Sequence, residues 1–448
     1  MFTIQPVSLM LFLVFLVNLT VMAVSPPTDI GDSIAAIQSA AVLLECLKTG
    51  ADTCPGMAQF GPSIYFIPIL TQIFELSLED GLNTLAWVSL LSYVLMLLII
   101  TKMKSGLSNY YNLVLFGFMV GLPLAYAKTT FSESVSTLAL ILILLGRYKN
   151  APFLYFLGFL FSSGTRESGI VLSILILIIL EKYFCHQEEI EKSPKRLFSG
   201  LFGITVGAFT LFALNLYRWT TFTNPIYTND SYYITRPTTF VSSLVGLVFS
   251  FNGGLVFFWP ITILVFFLSL RLIKNGKLFE AIVSLSPLLV IIFICSLWFS
   301  PFGWYAWGPR LVFPIAAFTI LLMALTADPR LKPWKKKSDY SWLSLMAWLQ
   351  VIAGTVTLNR FIATNDFFSS FFAPGKFCPN LTLEQSPKFM IENCLIRMTW
   401  EIENSIFFDG LREFLSFSYN SRQILIILYF VLLSSVAFAI TKTGKKDR

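Results

Sequence analysis

Apolar runs of roughly 20 residues, separated by short polar segments, recur along the whole chain. A run of this length crosses the hydrocarbon core of a bilayer as an α-helix. The alternation of apolar and polar residues that marks membrane strands does not occur in these runs. The pattern predicts an all-α polytopic membrane protein with about twelve transmembrane helices, near residues 7–24, 82–101, 111–127, 131–146, 151–164, 168–184, 197–217, 253–271, 278–298, 311–327, 341–359 and 423–441.

Two further apolar stretches are interpreted as re-entrant or interfacial segments. Phe60–Leu78 contains two prolines, and counting it as a span would move Lys102 and Lys104 away from the other inner basic residues. Thr239–Asn252, which precedes two glycines, is assigned in the same way. The remaining twelve spans place both chain ends on one side of the membrane.

Composition supports this class, because 56% hydrophobic and 13% charged residues, with a mean hydropathy of +0.73, exclude a water-soluble globule. Most of the 32 Lys and Arg residues fall in the predicted inner loops, as the positive-inside rule requires. The net charge of +7 is therefore explained by membrane topology, and membrane lipids rather than nucleic acid are the expected partners.

The predicted domain organisation has three parts. Residues 1–359 form the transmembrane module, which includes a long outer loop at 25–81. Residues 360–422 form an outer subdomain, and residues 423–448 form the last helix and a basic inner tail. The first apolar run lacks a basic start, which favours an anchor helix over a cleaved signal peptide.

Four cysteines fall in the predicted outer loops. An oxidising compartment would permit the pairs Cys46–Cys54 and Cys378–Cys394. Other connectivities, and four unpaired thiols, stay open. The two remaining cysteines are expected to be free: Cys185 in an inner loop and Cys295 in a helix.

The chain has one histidine, His186, in an inner loop among glutamates. Ser-His-Asp catalysis and a histidine-based metal cluster are therefore excluded on the outer face. General base chemistry there would fall to a carboxylate. The carboxylates nearest the outer membrane plane are Asp29, Asp32, Glu133 and Glu167.

Asp29 and Asp32 follow directly on the first predicted span and precede Ile34–Leu47, which has helical apolar spacing. Three residues apart at a helix start, both carboxylates can face one groove. Low-dielectric surroundings and a neighbouring acid raise a carboxyl pKa toward the range of a general base. Either residue could instead cap the following helix.

Cations lie close to these acids along the predicted outer face. Lys128 and Glu133 share a tight outer turn, where the lysine could meet an anionic phosphate and the glutamate a sugar hydroxyl, or the two could form a local ion pair. The negative charge of Glu167 is favourable at the start of a helix. The positive charge of the adjacent Arg166 is unfavourable there unless an anion is near.

Arg310 follows three aromatic residues, Trp304, Tyr305 and Trp307, and begins a predicted helix. The aromatics suit an interfacial belt or stacking on a sugar or lipid. A guanidinium in this setting matches the phosphate of a prenyl lipid. The alternative is a simple snorkelling arginine.

Together these motifs resemble the GT-C superfamily of integral membrane glycosyltransferases, and within it the bacterial relatives of protein O-mannosyltransferases and aminoarabinose transferases. The resemblance rests on the acidic first outer loop, Ser-Glu at 132–133, Thr-Arg-Glu-Ser-Gly at 165–169, Phe-Asn-Gly-Gly-Leu-Val-Phe-Phe-Trp-Pro at 251–260 and Trp-Gly-Pro-Arg at 307–310. It covers most of residues 1–327, and the loop after 360 matches nothing in the family.

The resemblance implies a catalytic base in the first outer loop, on Asp29 or Asp32, and a second acid at Glu133. It also implies that outer-face cations hold a lipid phosphate, here Lys128, Arg166 and Arg310. This chain has Asp-Ile-Gly-Asp at 29–32 where the family's commonest pair is Asp-Glu, so the choice between the two aspartates stays open.

The expected activity is transfer of a sugar from a polyprenyl-phosphate donor to a glycan, lipid or protein acceptor. The expected location is a bacterial inner membrane with the site on the periplasmic face. The sequons at Asn229 and Asn380 do not establish an endoplasmic reticulum setting. No cofactor is expected, although a divalent metal at the acids is an alternative. Rival functions are a lipid or polysaccharide flippase, a non-catalytic assembly subunit, and, within the enzyme class, a polysaccharide polymerase or ligase.

Overall fold

The computed structural model describes residues 6–25, 31–54, 61–107, 110–130, 132–187, 193–223, 233–298, 301–302, 309–326, 337–363, 394–402, 405–416 and 421–446. These segments are helical and contain no β-strand; an isolated antiparallel bridge joins Tyr233 and Trp298. The predicted all-α fold class is confirmed.

The helices are numbered here in chain order, with a 3₁₀ turn at Pro260–Thr262 between α13 and α14. They are α1 Pro6–Val24, α2 Gly31–Thr49, α3 Pro62–Ile73, α4 Leu78–Lys102, α5 Lys104–Leu107, α6 Tyr111–Met119, α7 Leu122–Ala125, α8 Glu133–Tyr148, α9 Pro152–Ser163, α10 Glu167–Gln187, α11 Pro194–Trp219, α12 Pro237–Phe249, α13 Leu255–Phe258, α14 Ile263–Lys274, α15 Leu278–Ser296, α16 Phe313–Thr326, α17 Lys337–Ala363, α18 Leu395–Trp400, α19 Ile406–Leu415 and α20 Ser421–Lys446.

Six helices in the described segments are long and apolar enough to cross a membrane: α1, α4, α11, α15, α17 and α20. Others are apolar but shorter, among them α9 and α16 with 12 and 14 residues. The structure therefore confirms a helical membrane protein but does not confirm the predicted number of twelve spans.

Two helices predicted as continuous are broken. In the predicted 111–127 helix, Gly121 has φ +76° and separates α6 from α7. In the predicted 253–271 helix, the chain breaks at Trp259, ahead of a proline. A side chain compensates each break: the indole of Trp259 donates to the Gly117 carbonyl near the end of α6 at 2.7 Å, and Gln350 accepts the Ile261 amide after the second break at 3.0 Å. Backbone interruptions at membrane depth require such partners, since lipid supplies none.

The two stretches interpreted as re-entrant form short helices, α3 with 12 residues and α12 with 13. At 1.5 Å per residue each is roughly 20 Å long, shorter than the hydrocarbon core of about 30 Å. Their length agrees with a segment that does not span, while their membrane position stays a prediction.

A buried polar cluster ties the first and last described helices to the centre of the bundle. Asn18 of α1 donates to the Met119 carbonyl at 2.7 Å and accepts from the Tyr429 hydroxyl of α20 at 2.7 Å. Tyr93 of α4 donates to the same Met119 carbonyl at 2.8 Å. That carbonyl lies at the end of α6, so four helices share one set of hydrogen bonds.

Helices α9 and α11 pack closely through glycine. A Cβ atom on Gly203 would lie 2.6 Å from the Phe156 carbonyl, and one on Gly207 would overlap the Ser163 hydroxyl. Small residues of this kind let two helix backbones approach each other in a membrane. The contact places the end of α9, and the loop that leads to Arg166, against α11.

The predicted Cys46–Cys54 disulfide is present. The disulfide links the end of α2 to Cys54. The Cys54 amide donates to the Tyr217 carbonyl of α11 at 3.0 Å, so the end of α2 is connected to α11. Cys394 is also disulfide-bonded, and its predicted partner Cys378 lies outside the described residues. Cys295 is buried and free, as predicted; the side chain of Cys185 lies outside the described part.

We expect Tyr429→Phe to lower stability by about 1 kcal/mol, because it leaves an Asn18 amide oxygen without its hydroxyl donor in a lipid environment. Unfolding of the detergent-solubilised protein would measure the change. The matched control is Tyr148→Phe, whose hydroxyl bonds Ser105 at an exposed position. An equal loss in both variants would contradict the importance of the buried cluster.

Candidate active site

Three charged residues predicted from the sequence meet where helices α8, α10 and α16 begin. Glu133 is the first residue of α8, Arg166 precedes α10, and Arg310 lies just before α16. All three line a cavity of about 380 Å³ and also a smaller one of about 60 Å³. The charged group therefore stands between two cavities, in a position to contact molecules in both.

Glu133 and Arg310 form a buried ion pair, with Nε of Arg310 3.0 Å from Oε1 of Glu133. Their side chains are 7% and 6% exposed. A buried charge requires such a partner, since removal of either ion from water costs several kcal/mol. The position of Glu133 in the first turn of α8 also favours its negative charge.

The backbone at Arg310 is supported by the Phe-Asn-Gly-Gly segment at 251–254. The Arg310 amide donates to the Phe302 carbonyl at 3.1 Å. The Phe302 ring lies directly on Gly253, where a Cβ atom would overlap the ring. The neighbouring Asn252 donates to the Glu401 carbonyl at 3.2 Å. The Asn-Gly pair thus supports the backbone that presents Arg310.

Aromatic rings fix the turn that carries Glu133 relative to α16. The ring of Tyr126 stacks on Phe313 with centroids 5.6 Å apart, and Trp259 packs edge-on against Phe313 at 5.4 Å. Ser134 donates to the Tyr126 carbonyl at 2.7 Å. These contacts hold the starts of α8 and α16 together, and with them the ion pair.

The start of α2 lies against the same turn. The Ser33 hydroxyl bonds the carbonyl and the hydroxyl of Thr130 at 2.9 and 2.7 Å. Asp32 is the preceding residue, in the first turn of α2, but its side chain lies outside the described part, as does Asp29 entirely. Their predicted catalytic role stays a prediction, and the backbone beside them reaches the site.

Lys128 is buried in the turn before α8, with its amine 3.5 Å from the ring centroid of Trp87. This cation–π contact partly replaces the water that the amine has lost. Desolvation lowers the pKa of Lys128 below its usual value. The structure thus places Lys128 on Trp87 of α4, while Arg166 and Arg310 line the cavities.

A second polar group adjoins the site, and two of its members, Asn215 and Arg218, were not predicted from the sequence. The carboxylate of Glu167, which lines the larger cavity, accepts from Asn215 at 2.9 Å. Asn215 in turn accepts from the buried Arg218 at 2.6 Å, whose guanidinium stacks on Trp219 at 4.0 Å. The sequence did offer one signal for this polar group: an asparagine and an arginine lie three residues apart at the end of an apolar helix.

The larger cavity is polar at the end that carries the charged group and apolar at the other end. Its hydroxyl groups come from residues beside the charged group: Ser132, Ser136, Ser162, Thr165 and Ser168. Its apolar walls come from Leu140, Leu172, Ile291, Ile294 and Ile315. Leu140 lies about 10 Å from Glu133 along α8, which is two helical turns. The cavity is therefore complementary to an amphiphile with an anionic head.

Two aromatic rings close one side of this cavity. Tyr233 and Trp298 lie edge to face with centroids 5.7 Å apart, and the Ile234 amide donates to the Leu297 carbonyl at 2.8 Å. The aromatic residues predicted to flank Arg310 lie outside the described residues: Trp304, Tyr305 and Trp307. Sequence reasoning thus missed the aromatic pair that the described part contains.

Within the described segments, no three His, Cys, Asp or Glu side chains are grouped to hold a metal ion. The positive charge at the polar end of the cavity comes from Arg166 and Arg310. Two guanidinium groups can bind the oxygens of a phosphate through several charge-assisted hydrogen bonds.

No family model matches the chain, and no curated protein matches it. Among solved structures, the chain is similar to ArnT from Cupriavidus metallidurans in the apo state, with 10% identity and a TM-score of 0.48 over 96% of this chain and 76% of that one. It is likewise similar to the same protein bound to undecaprenyl phosphate, with 10% identity and a TM-score of 0.46 over 96% and 77% of the two chains.

We expect Arg310→Met to destabilise the protein by about 3–5 kcal/mol, since it leaves the Glu133 carboxylate buried without its cation. The double variant Arg310→Met/Glu133→Gln should recover much of this loss, because no unpaired charge remains. Unfolding in detergent of the two single variants and the double variant measures the coupling. Strictly additive losses would contradict the pairing.

We expect Lys128→Met to raise the melting temperature near neutral pH, because it removes the cost of burying a charged amine. A lowered pKa in the folded state means that folding releases protons, so the native lysine costs stability below that pKa and progressively less as the pH rises toward its unfolded value. The gain should therefore shrink in alkaline buffer. Melting curves across pH measure it, and a gain independent of pH would contradict the desolvation account.

Proposed function

We propose that this protein is a membrane glycosyltransferase that moves a sugar from a polyprenyl-phosphate donor to an acceptor hydroxyl. The observation that carries the proposal is the larger cavity, with two arginines at its polar end and apolar side chains at the other end. Arg166 and Arg310 suit the donor phosphate, and the apolar walls suit the first part of a prenyl chain. Its volume of about 380 Å³ is in the range of small-molecule sites.

The proposed reaction is a direct displacement at the anomeric carbon. The acceptor oxygen forms the new bond to this carbon while the bond from the carbon to the phosphate oxygen breaks. The acceptor proton passes to Asp29 or Asp32, and the polyprenyl phosphate departs with one additional negative charge. Arg166 and Arg310 stabilise that charge as it develops.

Glu133 is proposed to position Arg310 rather than to act as the base. A carboxylate 3.0 Å from a guanidinium is stabilised in its charged form and is a weak proton acceptor. The base therefore falls to the aspartates beside α2, whose neighbour Ser33 contacts the same turn. Glu167, held by Asn215, is available to accept hydrogen bonds from sugar hydroxyls.

The active side of the membrane is proposed to be the outer one, periplasmic in a bacterial inner membrane. This follows from the distribution of Lys and Arg between the loops, read by the positive-inside rule. The acceptor could be a glycan, a lipid or a protein. Its hydroxyl would approach from the smaller cavity, which lies on the α2 side of the charged group.

The location of the buried charges favours this proposal over a flippase. A transporter is expected to carry ionisable residues at mid-helix, near the bilayer centre. In the described segments the buried charged side chains all lie at or beside helix ends: Lys128, Glu133, Arg147, Arg196, Arg218 and Arg310.

The experiment measures release of free polyprenyl phosphate from a pool of polyprenyl-phosphate sugars by the purified protein, with and without a candidate acceptor extract. Asp29→Asn or Asp32→Asn should lower turnover by about 10²–10⁴-fold at the position that is the base. Arg166→Gln and Arg310→Lys should each lower it by about 10²-fold. The control Asp409→Asn alters an ion pair with the exposed Arg412, in which Asp409 itself is partly exposed, and should leave turnover unchanged.

The outcomes separate the alternatives. Unchanged turnover in both aspartate variants would contradict the proposed base. No release from any donor by folded protein, together with movement of intact lipid-linked sugar across proteoliposomes, would favour a flippase. Loss of release after chelation, with recovery on addition of a divalent cation, would show that a metal assists the phosphate.

A further inference from the structure

A second cavity of substantial size lies between helices α1, α4 and α6 and shares no lining residue with the two cavities of the active site. It encloses about 280 Å³ and opens sideways toward the membrane, where Phe12 and Leu98 are about half exposed. Its lining is almost wholly apolar and consists of Ser8, Leu11, Phe12, Phe15, Val94, Leu97, Leu98, Thr101, Tyr111, Leu115 and Met119. We call this cavity the inner groove.

The inner groove has the dimensions of one acyl chain within a single leaflet. It extends from Ser8 to Phe15 on α1 and from Thr101 to Val94 on α4. Seven residues of helix correspond to about 10 Å, which is most of one hydrocarbon leaflet of about 15 Å. A helix with side chains, about 10 Å in diameter, would need several times the volume that the groove offers.

The end of the inner groove that carries Thr101 is positively charged. Lys102 is the next residue, and the amine of Lys104 lies 5.2 Å from the ring centroid of Tyr111, which lines the groove. Arg271 donates to the hydroxyl of the neighbouring Tyr110 at 3.3 Å. Between residues 80 and 133 the sequence has no Asp or Glu, so no carboxylate on α4, α5 or α6 beyond the start of α4 neutralises these cations.

The opposite end of the inner groove reaches the buried polar cluster. Met119 lines the groove, and its carbonyl accepts from Asn18 and Tyr93. A chain in the groove would therefore contact the three helices α1, α4 and α6 where they are joined by hydrogen bonds. Filling the groove should stabilise that junction, because it replaces a void with dispersion contacts.

We propose that the inner groove binds one acyl chain of an anionic glycerophospholipid from the inner leaflet, with the lipid phosphate against Lys102 and Lys104. The charge complementarity at one end and the apolar lining of the rest of the inner groove identify the ligand class. A neutral lipid would fill the channel but would not engage the lysines. This inference does not depend on the proposed transferase activity.

The test titrates lipid-free detergent-solubilised protein with phosphatidylglycerol or with phosphatidylcholine of identical chains, with bound lipid counted by native mass spectrometry and stability followed by melting. Phosphatidylglycerol should bind saturably and raise the melting temperature, and phosphatidylcholine should bind more weakly. Lys102→Gln/Lys104→Gln should weaken phosphatidylglycerol binding by about fivefold for each lysine. Leu98→Trp, which fills the groove, should abolish the saturable site.

The matched control is Lys182→Gln/Lys195→Gln, which removes the same charge from α10 and α11 and should retain full binding. Glycerol phosphate without chains should neither bind nor shift the melting temperature. Equal affinity for the two lipids, or an equal loss in the control variant, would overturn the headgroup assignment. Unchanged binding in Leu98→Trp, or a full effect of glycerol phosphate alone, would overturn the assignment to the groove.

Discussion

The structure depends on one constraint: hydrocarbon offers no hydrogen-bond partner, so each polar group buried in it must find one in the protein. The breaks near Gly121 and Trp259 are tolerated because an indole and a glutamine side chain take over the interrupted backbone bonds. The same constraint confines buried charge to helix ends. Polar chemistry therefore gathers where several helices end together, and the candidate site lies at such a place.

At the site, the same constraint requires that buried charges be paired, so that an ion pair connects two distant segments of the chain. Glu133 and Arg310 come from segments almost 180 residues apart in the sequence, and each makes burial of the other tolerable. The pair is supported by Phe302 on Gly253 and by the stack of Tyr126 on Phe313. The geometry of the arginine toward a ligand is thus set before any ligand binds, which is the condition for electrostatic stabilisation of a departing phosphate.

The sequence was sufficient for the fold class and the approximate helix positions, because hydrophobic run length is a local signal. It permitted the Cys46–Cys54 pair but left other connectivities open, and the structure decides between them. The sequence also selected Glu133, Arg166 and Arg310, since charge beside hydrocarbon is conspicuous. It could not reveal that Gly121 interrupts a helix or that Trp259 is satisfied by α6, because both depend on partners remote in sequence. Asn215 was missed for the same reason: its role arises only when α11 packs against the start of α10.

The bond between Tyr429 and Asn18 joins side chains 411 positions apart, and it bears on how the protein is made. During synthesis α1 enters the membrane long before α20 exists. The amide oxygen of the Asn18 side chain therefore lacks this donor while the rest of the chain is inserted. The hydrogen bonding of Asn18 on α1 is completed only by Tyr429 on α20. The set of hydrogen bonds shared by the four helices is therefore complete only after α20 has been inserted, and a chain that stops before α20 leaves this oxygen without the Tyr429 hydroxyl.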